Sequence, residues 1–179
     1  MKELCIAMTG MPQTGKTTIA KLLCKKYSGY REVDLGEPVA LLASALTEVE
    51  HFDKQDELPP WGTYRALMGR LYKAMAEEYG NHWPIVLEAD KQFEASSVPV
   101  YTNVYYNDSM AYLQKQYKKV LKVYVYSTRR EKQKCSYRDL AWVLDNLDSF
   151  LIVRSDDLDF EAYADMLHRA VDNCQNNRL

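Results

Sequence analysis

Apolar positions recur along this chain in two alternating rhythms. Leu4-Cys5-Ile6-Ala7-Met8 is a short unbroken apolar run, as a strand buried on both faces requires. Ile19, Leu22, Leu23 and Tyr27 follow at the three- and four-residue spacing of one helix face. The pattern predicts a second strand over 30–35. Gly36-Glu37-Pro38 then opens a helix carrying Val39, Leu42 and Leu46, with Pro38 in its first turn. Residues 48–60 are acidic, end in Pro59-Pro60, and predict an exposed loop too short to link independent domains. From Thr63, the positions Tyr64, Leu67, Met68, Leu71, Tyr72 and Met75 mark an amphipathic helix, which Asn81-His82-Trp83-Pro84 breaks. Residues 85–93 fit a helix through Ile85, Ala89 and Phe93, or a strand through Ile85-Val86-Leu87. Lys91-Gln92 continue without a turn signal, which favours the helix.

The second half repeats the rhythm. Residues 98–104 read as a strand, 108–117 as a helix and 120–126 as a second strong strand. A basic segment, Arg129-Arg130-Glu131-Lys132-Gln133-Lys134, precedes a helix with Leu140, Val143, Leu144 and Leu147. Phe150-Leu151-Ile152-Val153 forms a last short strand. A final helix buries Phe160, Tyr163, Met166, Leu167, Ala170 and Val171. Alternating strands and helices predict an α/β fold: a mostly parallel five-stranded sheet with helices on both faces. Ligands then bind beyond the carboxyl ends of the strands.

Between the first strand and the first helix lies Gly10-Met11-Pro12-Gln13-Thr14-Gly15-Lys16-Thr17, which matches G-x-x-x-x-G-K-[ST], the phosphate-binding loop of P-loop nucleotide enzymes. Gly10 and Gly15 permit backbone angles and close approaches that a Cβ obstructs. The N–H groups of the loop and the positive end of the new helix then surround a polyphosphate, drawing in Gln13, Thr14 and Thr18 with the motif residues. Lys16, expected as an exposed cation, would reach the β- and γ-phosphates, and the Thr17 hydroxyl would complete a Mg²⁺ shell. Chance produces this spacing in roughly a few per thousand chains at average residue usage. Only 7 glycines occur here, which lowers that figure. The flanking strand and helix supply the context that turns a pattern into a mechanism.

Composition narrows the rest. A chain of 179 residues with 47% hydrophobic residues predicts one domain with a sizeable core. No apolar run reaches membrane-spanning length, and the chain passes from Met1-Lys2-Glu3 directly into the first strand, so a signal peptide is not expected. Cys5, Cys24, Cys135 and Cys174 are scattered, as reduced structural thiols of a cytoplasmic protein would be. His51, His82 and His168 are isolated, and no zinc site is expected. The net charge of −2 argues against a whole surface built for nucleic acid. The 14 tyrosines suit base stacking in principle, but most fall at core-like positions, where packing is the default reading.

A phosphate loop does not by itself separate kinases from ATPases, GTPases or switches. The length suits a small-molecule kinase, and no guanine-reading N-K-x-D occurs. Ser127-Thr128-Arg129-Arg130 follows the fourth predicted strand, where such kinases place a lid. Arg129 there could neutralise charge on the transferring phosphoryl group; its bland alternative is a solvated helix start.

Over nearly its whole length the chain resembles the deoxynucleoside monophosphate kinases of tailed bacteriophages, with dephospho-CoA kinase as a more distant relative. The likeness rests on Gly15-Lys16-Thr17-Thr18-Ile19-Ala20, on Leu35-Gly36-Glu37-Pro38-Val39-Ala40-Leu41-Leu42, on Thr63-Tyr64-Arg65-Ala66-Leu67-Met68 with Trp83 beyond it, and on residues 100–108. The resemblance implies a single P-loop kinase domain over 1–179. Within it lie an acceptor-binding helical region at about 40–95 and a small lid at about 127–138. It also implies ATP as donor, Mg²⁺, and a phosphate-bearing deoxynucleotide as acceptor. Arg65 would grip the acceptor phosphate, with Tyr64 and Arg70 beside it as further acceptor contacts. Asp34 and Glu37, just beyond the second strand, are candidates for orienting or deprotonating the acceptor; Glu37 could instead simply favour the positive end of the following helix. Asn103 stands about where the family has an acidic residue, and Tyr105 where it has arginine. Glu88 or Asp90 would supply the missing acid if 85–87 were a strand. Three readings follow: transfer to a deoxynucleoside monophosphate, transfer to the hydroxymethyl group of hydroxymethyluracil in DNA as in phages that hypermodify that base, or a nucleotide-binding regulatory module without transfer. Oligomeric state is left open.

Overall fold

In the computed structural model, residues 2–48, 57–58, 60, 62–89, 97–128, 141–157 and 159–176 are described. The apolar run at the start forms β1 (Lys2–Thr9), whose last six residues are all buried. A strand without exposed faces must also satisfy both of its edges, and β1 does so at the centre of a five-stranded sheet of order β2-β5-β1-β6-β7. Its neighbours are β5 (Val98–Thr102) and β6 (Tyr117–Tyr126); β2 (Tyr30–Asp34) and β7 (Leu151–Arg154) close the edges. Every pairing in this sheet is parallel.

Alternation along β1 assigns two faces. Leu4, Ile6 and Met8 pack with Ile19, Ala20 and Leu23 of α1 (Lys16–Lys26) and with Ala164, Leu167 and Val171 of α7 (Phe160–Gln175). The connection from β5 to β6 steps over β1 through α5 (Asn107–Gln116), in the direction opposite to the step from β1 to β2. Right-handed crossovers therefore put α5 on the face opposite α1. Its Met110 and Leu113 are buried. On the sheet, Tyr101 and Tyr117 are buried, their hydroxyls 2.9 Å apart. Packing thus accounts for several tyrosines, Tyr64 and Tyr124 among them. The expected α/β architecture is the one observed.

The chain forms two compact units, one of Met1–Asp34 with Phe93–Leu179 and the other Leu35–Gln92. Within the second, α2 (Glu37–Thr47) and α3 (Tyr64–Tyr79) pack through Ala43, Tyr64 and Leu67. Thr63 caps α3, its Oγ1 accepting from Ala66 N at 3.2 Å. The 48–60 stretch, expected as loop, contributes a short strand, β3 (Glu57–Leu58), pairing antiparallel with β4 (Gly62–Thr63). Leu46, expected on the apolar face of α2, is 56% exposed. The described part of the ambiguous stretch, residues 85–89, is helical within α4 (Trp83–Ala89), which places Glu88 inside a helix and not at a strand end. Trp83 is buried there, and the Tyr72 hydroxyl donates to Asn81 O at 2.8 Å. After β6, the described chain resumes in α6 (Ala141–Leu144). The basic segment 129–134 and Asp90 lie outside the described residues.

Among the described residues, Cys5, Cys24 and Cys174 are free thiols, and burial pushes Cys24 up to about 11. Among those residues, no helix is long and apolar enough to cross a membrane. Leu167→Ala, which empties a fully buried site between α7 and the sheet, is expected to cost about 2–5 kcal/mol, read from urea denaturation midpoints.

Candidate active site

The loop after β1 is shaped by two steric constraints. Gly10 has φ 134°, and a Cβ there would lie 2.0 Å from the Val125 carbonyl oxygen. Gly15 has φ 93°, and its Cβ would lie 2.6 Å from Phe160 Cε1 on α7. Both positions demand glycine twice over, by angle and by space. Gln13 is also left-handed, with φ 62°, and its side chain is exposed. Thr14 is buried and donates from Oγ1 to Met11 O at 2.9 Å, closing the loop on itself.

Gly15 is the N-cap of α1, which has no side-chain capping bond and no acid in its first turn. An uncapped helix N-terminus with Lys16, Thr17 and Thr18 in its first turn is chemically fit for an anion. Thr17 is half-buried and Thr18 exposed. Lys16, in contrast to the expected exposed cation, is 3% exposed. Its Nζ donates to Gly10 O at 2.8 Å and to Met11 O at 2.6 Å, and sits 5.4 Å from the centre of the Tyr105 ring. Burial is tolerable because loop carbonyls and an aromatic face solvate the ammonium.

Beside the loop lie the carboxyl ends of β2 and β5, in register at Asp34 and Thr102. The next residue, Asn103, turns left-handed with φ 65°, ending the strand; Val104 N then donates to Met8 O at 3.1 Å. The turn brings Asn103 Nδ2 within 2.6 Å of Asp34 Oδ1. The Tyr105 hydroxyl donates to Asn103 Oδ1 at 2.7 Å, and Trp142 Nε1 donates to Tyr105 O at 3.0 Å. Asp34, Asn103 and Tyr105, three positions singled out in the sequence, are thus joined in one chain of contacts that ends at Lys16.

A second network holds the carboxyl end of β6. Asp156, buried just after β7, accepts from Ser127 Oγ at 2.6 Å, Thr128 N at 3.0 Å, Thr128 Oγ1 at 2.8 Å and Arg154 Nε at 2.9 Å. The Ser127 bond first, then Arg154 and Thr128, hold its carboxyl well below the usual carboxylate range. Sequence reading passed over Asp156, although an acid directly after a parallel strand was a usable signal. Ser127 and Thr128 begin the expected lid; Arg129 and the rest of that segment to residue 138 lie outside the described residues.

The remaining candidates belong to the Leu35–Gln92 unit. Glu37 is exposed in the first turn of α2, where its charge favours the helix dipole. Arg65 and Arg70 are exposed on α3. Tyr64 is buried, and its hydroxyl donates to Ala40 O at 3.3 Å.

No family model matches the chain, and no curated protein does. Among solved structures it is similar to a provisionally assigned kinase from Chloroflexus aurantiacus J-10-fl, with 14% identity, TM-score 0.49, and 96% of this chain and 97% of that one covered. It is also similar to a sugar kinase from Janibacter sp. HTCC2649, with 12% identity, TM-score 0.38, and 86% of each chain covered. Likenesses at these scores carry no functional argument, which therefore rests on the residues.

Asp156 generates a pH prediction. A carboxyl held low in the folded state adds stability above its unfolded value, near pH 4, and loses it as pH falls toward the folded value. Asp156→Asn is expected to lower stability at pH 7, with the gap from wild type narrowing below about pH 4 in denaturant titrations at pH 7 and pH 3.

Proposed function

We propose that the protein transfers the γ-phosphoryl group of ATP to a deoxynucleotide acceptor, most directly a deoxynucleoside monophosphate. The observation that carries this reading is the Gly10–Thr17 loop. Its helix start has no side-chain cap, and its carbonyl-bound Lys16 is linked through Tyr105 and Asn103 to a carboxylate, Asp34, at the end of β2. The loop N–H groups would bind the β- and γ-phosphates. Lys16 would exchange its loop carbonyls for phosphate oxygens, placing charge where it accumulates in transfer. The Thr17 hydroxyl would hold Mg²⁺, which when bound neutralises phosphate charge. Among the described residues no cluster of three His, Cys, Asp or Glu exists, and a metal kept mainly by one hydroxyl, phosphate oxygens and water matches the coordination habits of Mg²⁺.

In the reaction an acceptor oxygen forms a bond to the γ-phosphorus as the bond to the β–γ bridging oxygen breaks, releasing ADP. A monophosphate acceptor is largely ionised at neutral pH and needs cations to gather it, the role proposed for Arg65 with Arg70 as a second candidate. Tyr64, the third candidate of α3, is instead buried with its hydroxyl on Ala40 O. Asp34 would then orient the acceptor, with Glu37 as the further candidate for this step, and Arg129 would neutralise charge on the transferring phosphoryl group. The Asp34 carboxylate favours a second reading, in which the acceptor is the primary alcohol of hydroxymethyluracil in DNA. An alcohol must shed its proton, and Asp34 would receive it.

Incubation with γ-labelled ATP and Mg²⁺ separates the readings. Label in a nucleoside diphosphate supports the first, and label in hydroxymethyluracil-containing DNA alone supports the second. Slow hydrolysis without transfer to either indicates a regulatory module.

Lys16→Ala is expected to reduce transfer by at least about 10³-fold, since the lost charge acts where the transition state is most anionic. Circular dichroism should report a folded protein; full activity in that folded variant overturns the phosphoryl-transfer reading. Arg65→Ala is expected to raise the acceptor KM about tenfold or more while leaving the ATP KM within twofold, as loss of a charge-assisted contact implies. Steady-state kinetics with each substrate varied in turn checks this.

A further inference from the structure

Asn103 occupies a left-handed backbone position, with φ 65°, which asparagine tolerates better than most residues. Its amide is used in both directions. A carboxylate only accepts, so the –NH₂ must be the end facing Asp34 at 2.6 Å. The amide oxygen then faces Tyr105 at 2.7 Å, and the phenol must donate. The donors run one way, from Tyr105 through Asn103 to Asp34. Tyr105 is itself anchored at both ends, by the Trp142 indole on its carbonyl and by Lys16 beside its ring. Asp34 and Asn103 lie 69 residues apart in sequence, so this chain exists only in the folded unit.

The geometry points to Asn103 as a positioning residue. Its amide fixes the orientation of Asp34 and keys it through Tyr105 to Lys16, offering a donor at this contact where a carboxylate would only accept. The inference rests on the phosphoryl-transfer reading and adds the reason for an amide at this strand end. An aspartate at 103 would bring two carboxylates to about the same separation, and such a pair retains a shared proton. That proton would occupy the oxygen that serves the acceptor. The ionisable groups joined to Asp34 by this chain are Tyr105 and, through its ring, Lys16. Neither supplies a second negative charge at neutral pH. Adding a charge at 103 should therefore impair turnover instead of improving it.

The test uses the full chain and three variants. Asn103→Gly keeps the left-handed backbone at no steric cost and removes only the amide. It should fold with wild-type ATP affinity and an ATP KM within twofold, while kcat falls about 10–100-fold, a part of what a well-placed base contributes. Asn103→Asp should show a comparable loss at pH 7, with kcat recovering toward the wild-type value as pH rises. A defect of folding alone would not produce that recovery. In ¹⁵N-labelled wild type, the Asn103 side-chain amide should exchange slowly and move when Tyr105 is replaced by Phe. An unmoved amide resonance, or undiminished kcat in folded Asn103→Gly, overturns the inference. Wild type transferring to no acceptor overturns the functional reading and the positioning role together. The amide resonance still reports on the hydrogen-bond chain in that case, so the two failures are told apart.

Discussion

The candidate site depends on one close approach, that of Gly10 to the backbone of Val125. The carbonyl oxygen of Val125 sits where any Cβ on residue 10 would have to be, 2.0 Å from its ideal position. The central strand can therefore leave the sheet immediately beside its neighbour β6, and the chain turns back sharply enough to start α1 over the strand ends. A second contact, Gly15 against the Phe160 ring, sets where that helix begins. Both contacts join residues far apart in sequence, so the loop acquires its shape from the packed sheet and α7.

Charge at the site is balanced locally. Lys16 is almost fully buried, yet its ammonium meets two carbonyl oxygens and a tyrosine face. Asp34 meets an amide donor, and Asp156 meets four donors. The two carboxylates have different surroundings for different work. Asp156 is surrounded by the ends of β6 and β7 and ties them together, so its charge is spent on architecture. Asp34 lies at the end of β2, linked through Asn103 and Tyr105 to Lys16, and is the carboxylate on which the proposed transfer relies.

Much of this molecule was readable from local pattern. Period-3.6 spacing located α1, α3, α5 and α7, because each of these helices buries one face, and an unbroken apolar run located β1, which is buried on both. The Gly10–Thr17 turn was legible as a motif for the same reason: its glycines, lysine and threonine lie within eight consecutive residues. Leu46 and the β3–β4 pair were misjudged for the converse reason. Apolar character at a single position does not say what covers it, and a strand of two residues leaves no period to detect.

The sequence by itself determined the strands of the main sheet with the helices between them, the parallel α/β class and the residue types at the first turn. These are properties of contiguous residues and of the handedness every chain shares. Only the tertiary structure decided that Lys16 turns inward to its own loop, that Asp156 gathers Ser127, Thr128 and Arg154, and that Asn103 is the donor to Asp34. Asn103 and Tyr105 looked in the sequence like an acid and an arginine gone missing. In the folded protein they are two links of one hydrogen-bonded chain, because a left-handed residue at the end of β5 swings an amide across to a strand 69 residues away. No local rule contains that distance.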